Sequence, residues 1–97
     1  MAADTPPSHH ARIPVERVQI GARMEKRLVK VLKALAEYHD LSLGDLLEGI
    51  VLHAFEGKSP FRDEALRQIV QLKSVYGVDY GAEASHMFVE DSGSPRA

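Results

Sequence analysis

Hydrogen-bonding side chains alternate with apolar ones in a short stretch near the N-terminus. The outward positions are polar or small: Arg17, Gln19, Gly21 and Arg23. An arginine guanidinium can donate two hydrogen bonds to guanine O6 and N7, and a glutamine amide can pair with adenine N6 and N7. Strict alternation is typical of a half-buried strand. The stretch therefore predicts a strand that presents base-reading side chains, with a merely solvated sheet face as the alternative.

Amphipathic helices follow this strand and must position it. Ser42 is a predicted N-cap for the second helix, which Gly57 ends. A third helix is predicted to start after Ser59 and to end at Gly77, whereas residues 78–90 are open between a short helix and irregular chain. The expected core consists of the inward strand residues and the apolar helix stripes: Val18, Ile20, Ala22, Met24, Leu28, Leu32, Leu35, Leu46, Leu47 and Ile50.

A lone strand is the main obstacle to folding as a single chain. No second strand is evident to pair its backbone groups, and a strand–helix–helix unit of about 41 residues is near the size below which a chain seldom folds alone. Antiparallel pairing of two chains solves both problems, so the sequence predicts an obligate homodimer, and the apolar residues named above are predicted to form the core of that dimer. The chain divides into a flexible arm (1–14), the strand–helix–helix unit (15–57), a C-terminal helical extension (58–90) and a disordered tail (91–97).

The order strand, helix, turn, helix carries a resemblance to a known family. The strand motif Q-x-G-x-R and the turn motif LSLGDLL (residues 41–47) resemble those of the ribbon-helix-helix family of DNA-binding proteins, the MetJ/Arc/CopG superfamily. The resemblance covers residues 17–57. It implies a mainly α fold in which two intertwined chains, each with one N-terminal strand, insert an antiparallel ribbon into the major groove of double-stranded DNA.

Phosphate contacts are expected at the starts of two helices. Free backbone N–H groups at Leu43 and Gly44, beside Ser42, form an anion site together with the positive end of the helix dipole. Ser42 also acts as an ordinary N-cap, and the two roles are compatible. Lys26 and Arg27, near the start of the first helix, are expected to contact phosphates and to make binding salt-dependent.

The charge distribution supports an anionic partner, although the whole chain has a net charge of −2. Residues 1–35 hold seven Lys or Arg and three Asp or Glu, whereas residues 36–97 hold five and eleven. The lack of cysteine excludes disulfides and thiolate metal sites. The histidines follow no metal-ligand spacing, and no motif for catalysis or cofactor binding occurs. We expect a cytoplasmic protein with no metal, no cofactor, no enzymatic activity and no membrane segment.

These patterns favour a homodimeric, sequence-specific DNA-binding protein that acts as a transcriptional repressor or autoregulator. The alternative is a protein-interaction module, antitoxin-like or involved in assembly, in which residues 58–90 bind a protein partner. The long extension and the overall acidity favour this second interpretation. The two functions are compatible in one molecule.

Overall fold

Helices supply the regular structure of residues 12–90, the part of the chain that the structure describes. The computed structural model contains α1 (Lys26–Tyr38), α2 (Leu43–Phe55), α3 (Asp63–Tyr76) and one 3-10 turn (Ala82–Ala84). The three helices lie where the apolar spacing predicts them, and residues 78–90 are mostly irregular. Most of the predicted arm (1–11) and the predicted tail (91–97) lie outside the described residues.

Local capping explains where the first two helices begin. The Ser42 hydroxyl accepts a hydrogen bond from the Asp45 N–H at 3.1 Å, which confirms the predicted N-cap of α2. Glu25 caps α1 by accepting a hydrogen bond from the Arg27 N–H. In the turn between the two helices, Asp40 has a φ of 57°, a conformation that aspartate tolerates better than most residues.

The third helix starts later than its sequence predicts. It begins at Asp63 rather than at Pro60. The Ser59 hydroxyl makes hydrogen bonds with both the N–H and the C=O of Phe61, so this serine closes a separate turn instead of capping the helix. The helix ends as expected at Gly77, whose φ of 74° is easily reached only by a residue without a Cβ.

A small core holds α1 against α2 and α3. Leu35 lies at its centre and is 1% exposed. Five partly buried side chains pack against the cluster of Leu35, Ala36 and Leu46: Leu32, Ile50, Phe61, Ile69 and Leu72. The buried apolar side chains of the described residues are Val31, Leu35, Ala36, Leu46 and Val78. Of the residues predicted for the core, Leu35 and Leu46 are buried, whereas Leu28, Leu32, Leu47 and Ile50 are half-buried.

The predicted N-terminal β-strand is absent. Residues 12–24 are irregular, and within the described part of the chain no backbone hydrogen bond joins them to another residue. A strand exists only beside a hydrogen-bonded neighbour, and residues 12–90 contain no second segment that pairs with this one. The expectation of a ribbon-helix-helix fold with one strand per chain is therefore wrong, because the described chain is all-helical.

The side chains predicted to face inwards from that strand are exposed. Val18 and Ile20 are 77% and 75% exposed, Met24 is 49% exposed, and Ala22 is exposed as well. The structure contains one chain, so it does not test contacts of these residues with a second copy. The assignment of these residues to a dimer core therefore stays a prediction.

We expect Leu35→Ala to lower the free energy of unfolding by about 2–5 kcal/mol, because the substitution leaves a cavity where three helices meet. Urea denaturation followed by circular dichroism measures the change. Val70→Ala is the matched control, since Val70 is 68% exposed and its truncation leaves no cavity. Equal losses in the two variants would contradict the central position of Leu35.

Candidate functional site

Arg17 fastens the N-terminal segment (residues 12–24) to α2. Its Nε and Nη2 atoms donate to the two carboxylate oxygens of Glu48, each at 2.8 Å, and Nη2 also donates to Asp45 Oδ1 at 3.1 Å. The hydrogen bond with Glu48, with the charges of both carboxylates, raises the pKa of Arg17 above its ordinary value. The same hydrogen bond lowers the pKa of Glu48. Arg17 therefore holds the N-terminal segment to α2 through ion pairs, although 61% of its side chain is exposed.

The other predicted base-contact residues lie farther along the same segment. Arg23 forms an ion pair with Glu90, and 83% and 64% of the two side chains remain exposed. Gln19 and Gly21 are also exposed, and a Cβ added to Gly21 would meet no atom within 4 Å. This part of the segment is therefore open to solvent.

A second group of contacts ties the chain after α3 to the start of α1. Arg27 Nη1 donates to the Gly77 carbonyl oxygen at 2.8 Å, and its Nε donates to Glu25 Oε2 at 3.2 Å. The Tyr80 hydroxyl donates to Glu25 Oε1, and the Arg27 guanidinium lies 5.5 Å from the centroid of the Tyr80 ring. Arg27 thus has a structural role, whereas the neighbouring Lys26 is exposed.

These contacts perturb the titration of Glu25. The hydrogen bond from Tyr80, aided by the backbone N–H and guanidinium of Arg27, lowers the pKa of Glu25 to about 2, against an opposing effect of partial burial. Burial, followed by the hydrogen bond and charge of Glu25, raises the pKa of Tyr80. The ionised carboxylate therefore holds the tyrosine and the arginine together at neutral pH.

At the predicted phosphate site at the start of α2, side chains of the protein itself already make the local contacts. Ser42 accepts the Asp45 N–H, Leu43 is half-buried and Gly44 is exposed. The Asp45 carboxylate turns towards Arg17. The carboxylates of Asp45 and Glu48 bring negative charge to this end of α2, which opposes a phosphate there.

Three lysines form a cationic stripe along α1. Lys26, Lys30 and Lys33 follow one another at intervals of four and three residues, which places them on one side of the helix. All three are exposed, and the Lys30 ammonium lies 5.7 Å from the centroid of the Tyr76 ring. The stripe starts directly after the N-terminal segment, so it extends the cationic surface that begins with Arg23.

An exposed apolar ridge on α2 was not foreseen from the sequence. Val51, Leu52 and Phe55 are 43%, 63% and 81% exposed, and within α2 only Leu46 is buried. The signal was present in the sequence, because eight of the thirteen α2 residues are apolar, which is more than one core-facing stripe buries.

An apolar groove with a volume of about 530 Å³ lies between α1, α2 and the chain after α3. Helix α1 contributes Leu28 and Leu32, helix α2 contributes Leu47, and residues after α3 contribute Phe88. Exposed apolar ridges and open apolar grooves on a small protein mark interaction sites.

Residues 12–90 were also compared with the requirements of a metal site and of a membrane-spanning helix. No group of three or more His, Asp or Glu side chains is arranged there to hold a metal ion. None of the helices described above is long and apolar enough to cross a membrane. Comparisons with protein-family models, curated proteins and solved structures found no match for this chain. Proposals about its function therefore depend on its own side chains.

We expect Tyr80→Phe to raise the pKa of Glu25 towards its ordinary value of 4.5, since the variant lacks the strongest hydrogen bond to the carboxylate. Because the folded pKa is depressed, the stability that this contact adds is complete above the unfolded pKa and disappears as the pH falls towards 2. The difference in urea midpoint between wild type and variant should therefore be largest above about pH 5 and shrink towards pH 2.

Carboxyl NMR titration reports the pKa of Glu25 directly. Tyr38→Phe is the control, because Tyr38 is 60% exposed and makes no hydrogen bond to a carboxylate among the described residues. A wild-type Glu25 that titrates at its ordinary pKa would contradict the contact.

Proposed function

We propose that this chain is a homodimeric, sequence-specific DNA-binding protein of the cytoplasm that acts as a transcriptional repressor or autoregulator. One observation carries the proposal. Residues 12–33 hold seven Lys or Arg side chains, all exposed, against two Glu. Three of the arginines are paired with carboxylates, which leaves the exposed lysines of α1 as the main free cations among these residues. Such a concentration of cations on a chain with a net charge of −2 is suited to a strongly anionic partner.

Arg23 and Gln19 are the side chains that we assign to base contacts. Both are exposed on the N-terminal segment, and their groups match the major-groove edges of guanine and adenine. Arg17 is held by two carboxylates at α2, so we assign it no base contact. Lys26 and the cationic stripe that it begins supply contacts to phosphates.

The carboxylates beside these arginines do not prevent DNA binding. An exposed ion pair contributes only about 0–1 kcal/mol, and the pair of Arg23 with Glu90 is exposed on both sides. The duplex offers a row of phosphates with a charge every 1.7 Å or so along its axis, and its binding releases counterions. DNA can therefore replace Glu90 as the partner of Arg23.

A second copy is supported by the apolar surface that one chain leaves exposed. The apolar side chains of the N-terminal segment and of the α2 ridge present on the order of 1,000 Å², compared with the roughly 800 Å² that each partner buries in a standard interface. A two-fold dimer carries two copies of Arg23 and Gln19. We therefore expect a palindromic or repeated DNA site.

A protein-interaction module is the second candidate, and a separate observation favours it. On α3, Leu66 and Val70 are 42% and 68% exposed and lie one turn apart on the same side of the helix. This pair lies in the C-terminal extension, the part of the chain that the sequence predicts to bind a protein partner.

Arg23→Ala should lower affinity for the DNA site by about tenfold or more, because the variant removes a bidentate contact to guanine from each copy. The site is first obtained by selection from a random duplex pool at near-physiological salt, and affinity is then measured by fluorescence anisotropy. The melting temperature should barely change, since the Arg23 side chain is 83% exposed.

Arg67→Ala is the matched control, because it removes the same charge from an exposed position on α3. If Arg23→Ala and Arg67→Ala weaken binding equally, Arg23 does not read a base. If selection enriches no DNA even at low salt, DNA binding is excluded and the protein-interaction module is favoured.

Lys26→Ala should weaken binding to all DNA sequences by a similar factor. The slope of log affinity against log salt concentration should become shallower by about one unit for each phosphate that the variant no longer neutralises. Lys58→Ala provides a comparison with the same charge change outside the stripe. A drop in affinity confined to the selected site would contradict the assignment of Lys26 to a phosphate.

A further inference from the structure

The α2 ridge (Val51, Leu52 and Phe55) and the apolar groove occur on the same protomer, yet the ridge remains exposed. We propose that the groove of each protomer receives the ridge of a second copy of this chain. The C-terminal extension, which forms one wall of the groove, is then part of the dimer interface. The inference rests on the homodimer of the proposed function and names the surfaces that form it.

The groove has the chemistry of a site for apolar side chains. Leu28 and Leu32 of α1 line it together with Ile69 of α3, and Phe88 lines it from the C-terminal side. The Phe88 ring is held by edge-to-face contact with the Tyr80 ring at 5.1 Å between centroids. Tyr80 is in turn bonded to Glu25, so this wall is attached to the start of α1.

Two residues of the ridge, Val51 and Phe55, continue the groove along one face of α2. Leu47 lines the groove, and Val51 and Phe55 follow it at intervals of four residues, on the same side of α2. A two-fold axis beside α2 would place the ridge of each protomer against the groove of the other. Such an interface is isologous and closes at two copies.

A second copy fits this groove better than an unrelated partner for two reasons. Five apolar side chains are buried in residues 12–90, which is a small core for three helices, and mutual insertion would enlarge the core of both chains. The two surfaces are also alike in chemistry, because the groove lining and the ridge are both largely apolar and every copy carries both.

Cysteine cross-linking tests the contact directly, since the natural chain contains no cysteine. Phe55→Cys protein is mixed with size-tagged Ser85→Cys protein, and the mixture is equilibrated and oxidised. Ser85 lines the groove, so we expect a disulfide-linked heterodimer on a non-reducing gel. Val75→Cys replaces Phe55→Cys in the control, because Val75 is 72% exposed on α3 and does not line the groove. Equal cross-linking of the two would overturn the proposal.

Sedimentation without DNA gives an independent test in the full chain. Phe55→Ser should raise the dimer dissociation constant at least tenfold, whereas Val75→Ser should leave it unchanged. A dimer that Phe55→Ser does not weaken would overturn the ridge-and-groove contact and leave the homodimer standing. A monomeric wild type would overturn both. A wild-type dimer that passes these tests and selects no DNA would leave this inference standing and overturn only the DNA-binding proposal.

Discussion

The burial of Leu35 is the constraint on which the rest of this structure depends. It lies where α1 meets α2 and α3, and it is the only large side chain fully buried in residues 12–90. Because few other side chains join it, the three helices leave much of their apolar surface outside. The exposed ridge and the open groove are both consequences of this small core. The proposal of a second copy rests on these two exposed apolar surfaces.

The cations of the chain differ in role although they are close in sequence. Arg27 is engaged by Glu25 and by the Gly77 carbonyl, and Arg17 is engaged by Glu48 and Asp45. Lys26, between them, remains exposed. Two of the arginines thus use part of their hydrogen-bonding capacity to hold the N-terminal segment and the C-terminal chain to the helices. In the DNA-binding function that we propose, the lysines and Arg23 supply the electrostatic attraction.

Features that depend on neighbouring residues were predicted well. The apolar spacing indicated three helices, Ser42 indicated an N-cap, and Gly77 indicated the end of α3. The strand prediction failed because alternation describes the polarity of side chains and does not supply a hydrogen-bonded backbone neighbour. The start of α3 was missed because Ser59 can either cap a helix or close a turn with Phe61. The sequence does not distinguish between these two hydrogen-bonding arrangements. Of the residues predicted to contact DNA through their side chains, Gln19 and Lys26 are exposed and make no ion pair within residues 12–90. Arg23 makes only an exposed ion pair.

The sequence by itself determined the three helices, the Ser42 cap, the end of α3 at Gly77 and the cationic character of the first third of the chain, because these depend on residues a few positions apart. The tertiary structure decided which cations are committed to internal contacts. Arg17 meets Glu48 across 31 positions, and Tyr80 meets Glu25 across 55. Such pairs form only after helix packing has set the distances between elements, and that packing follows from the few side chains gathered around Leu35.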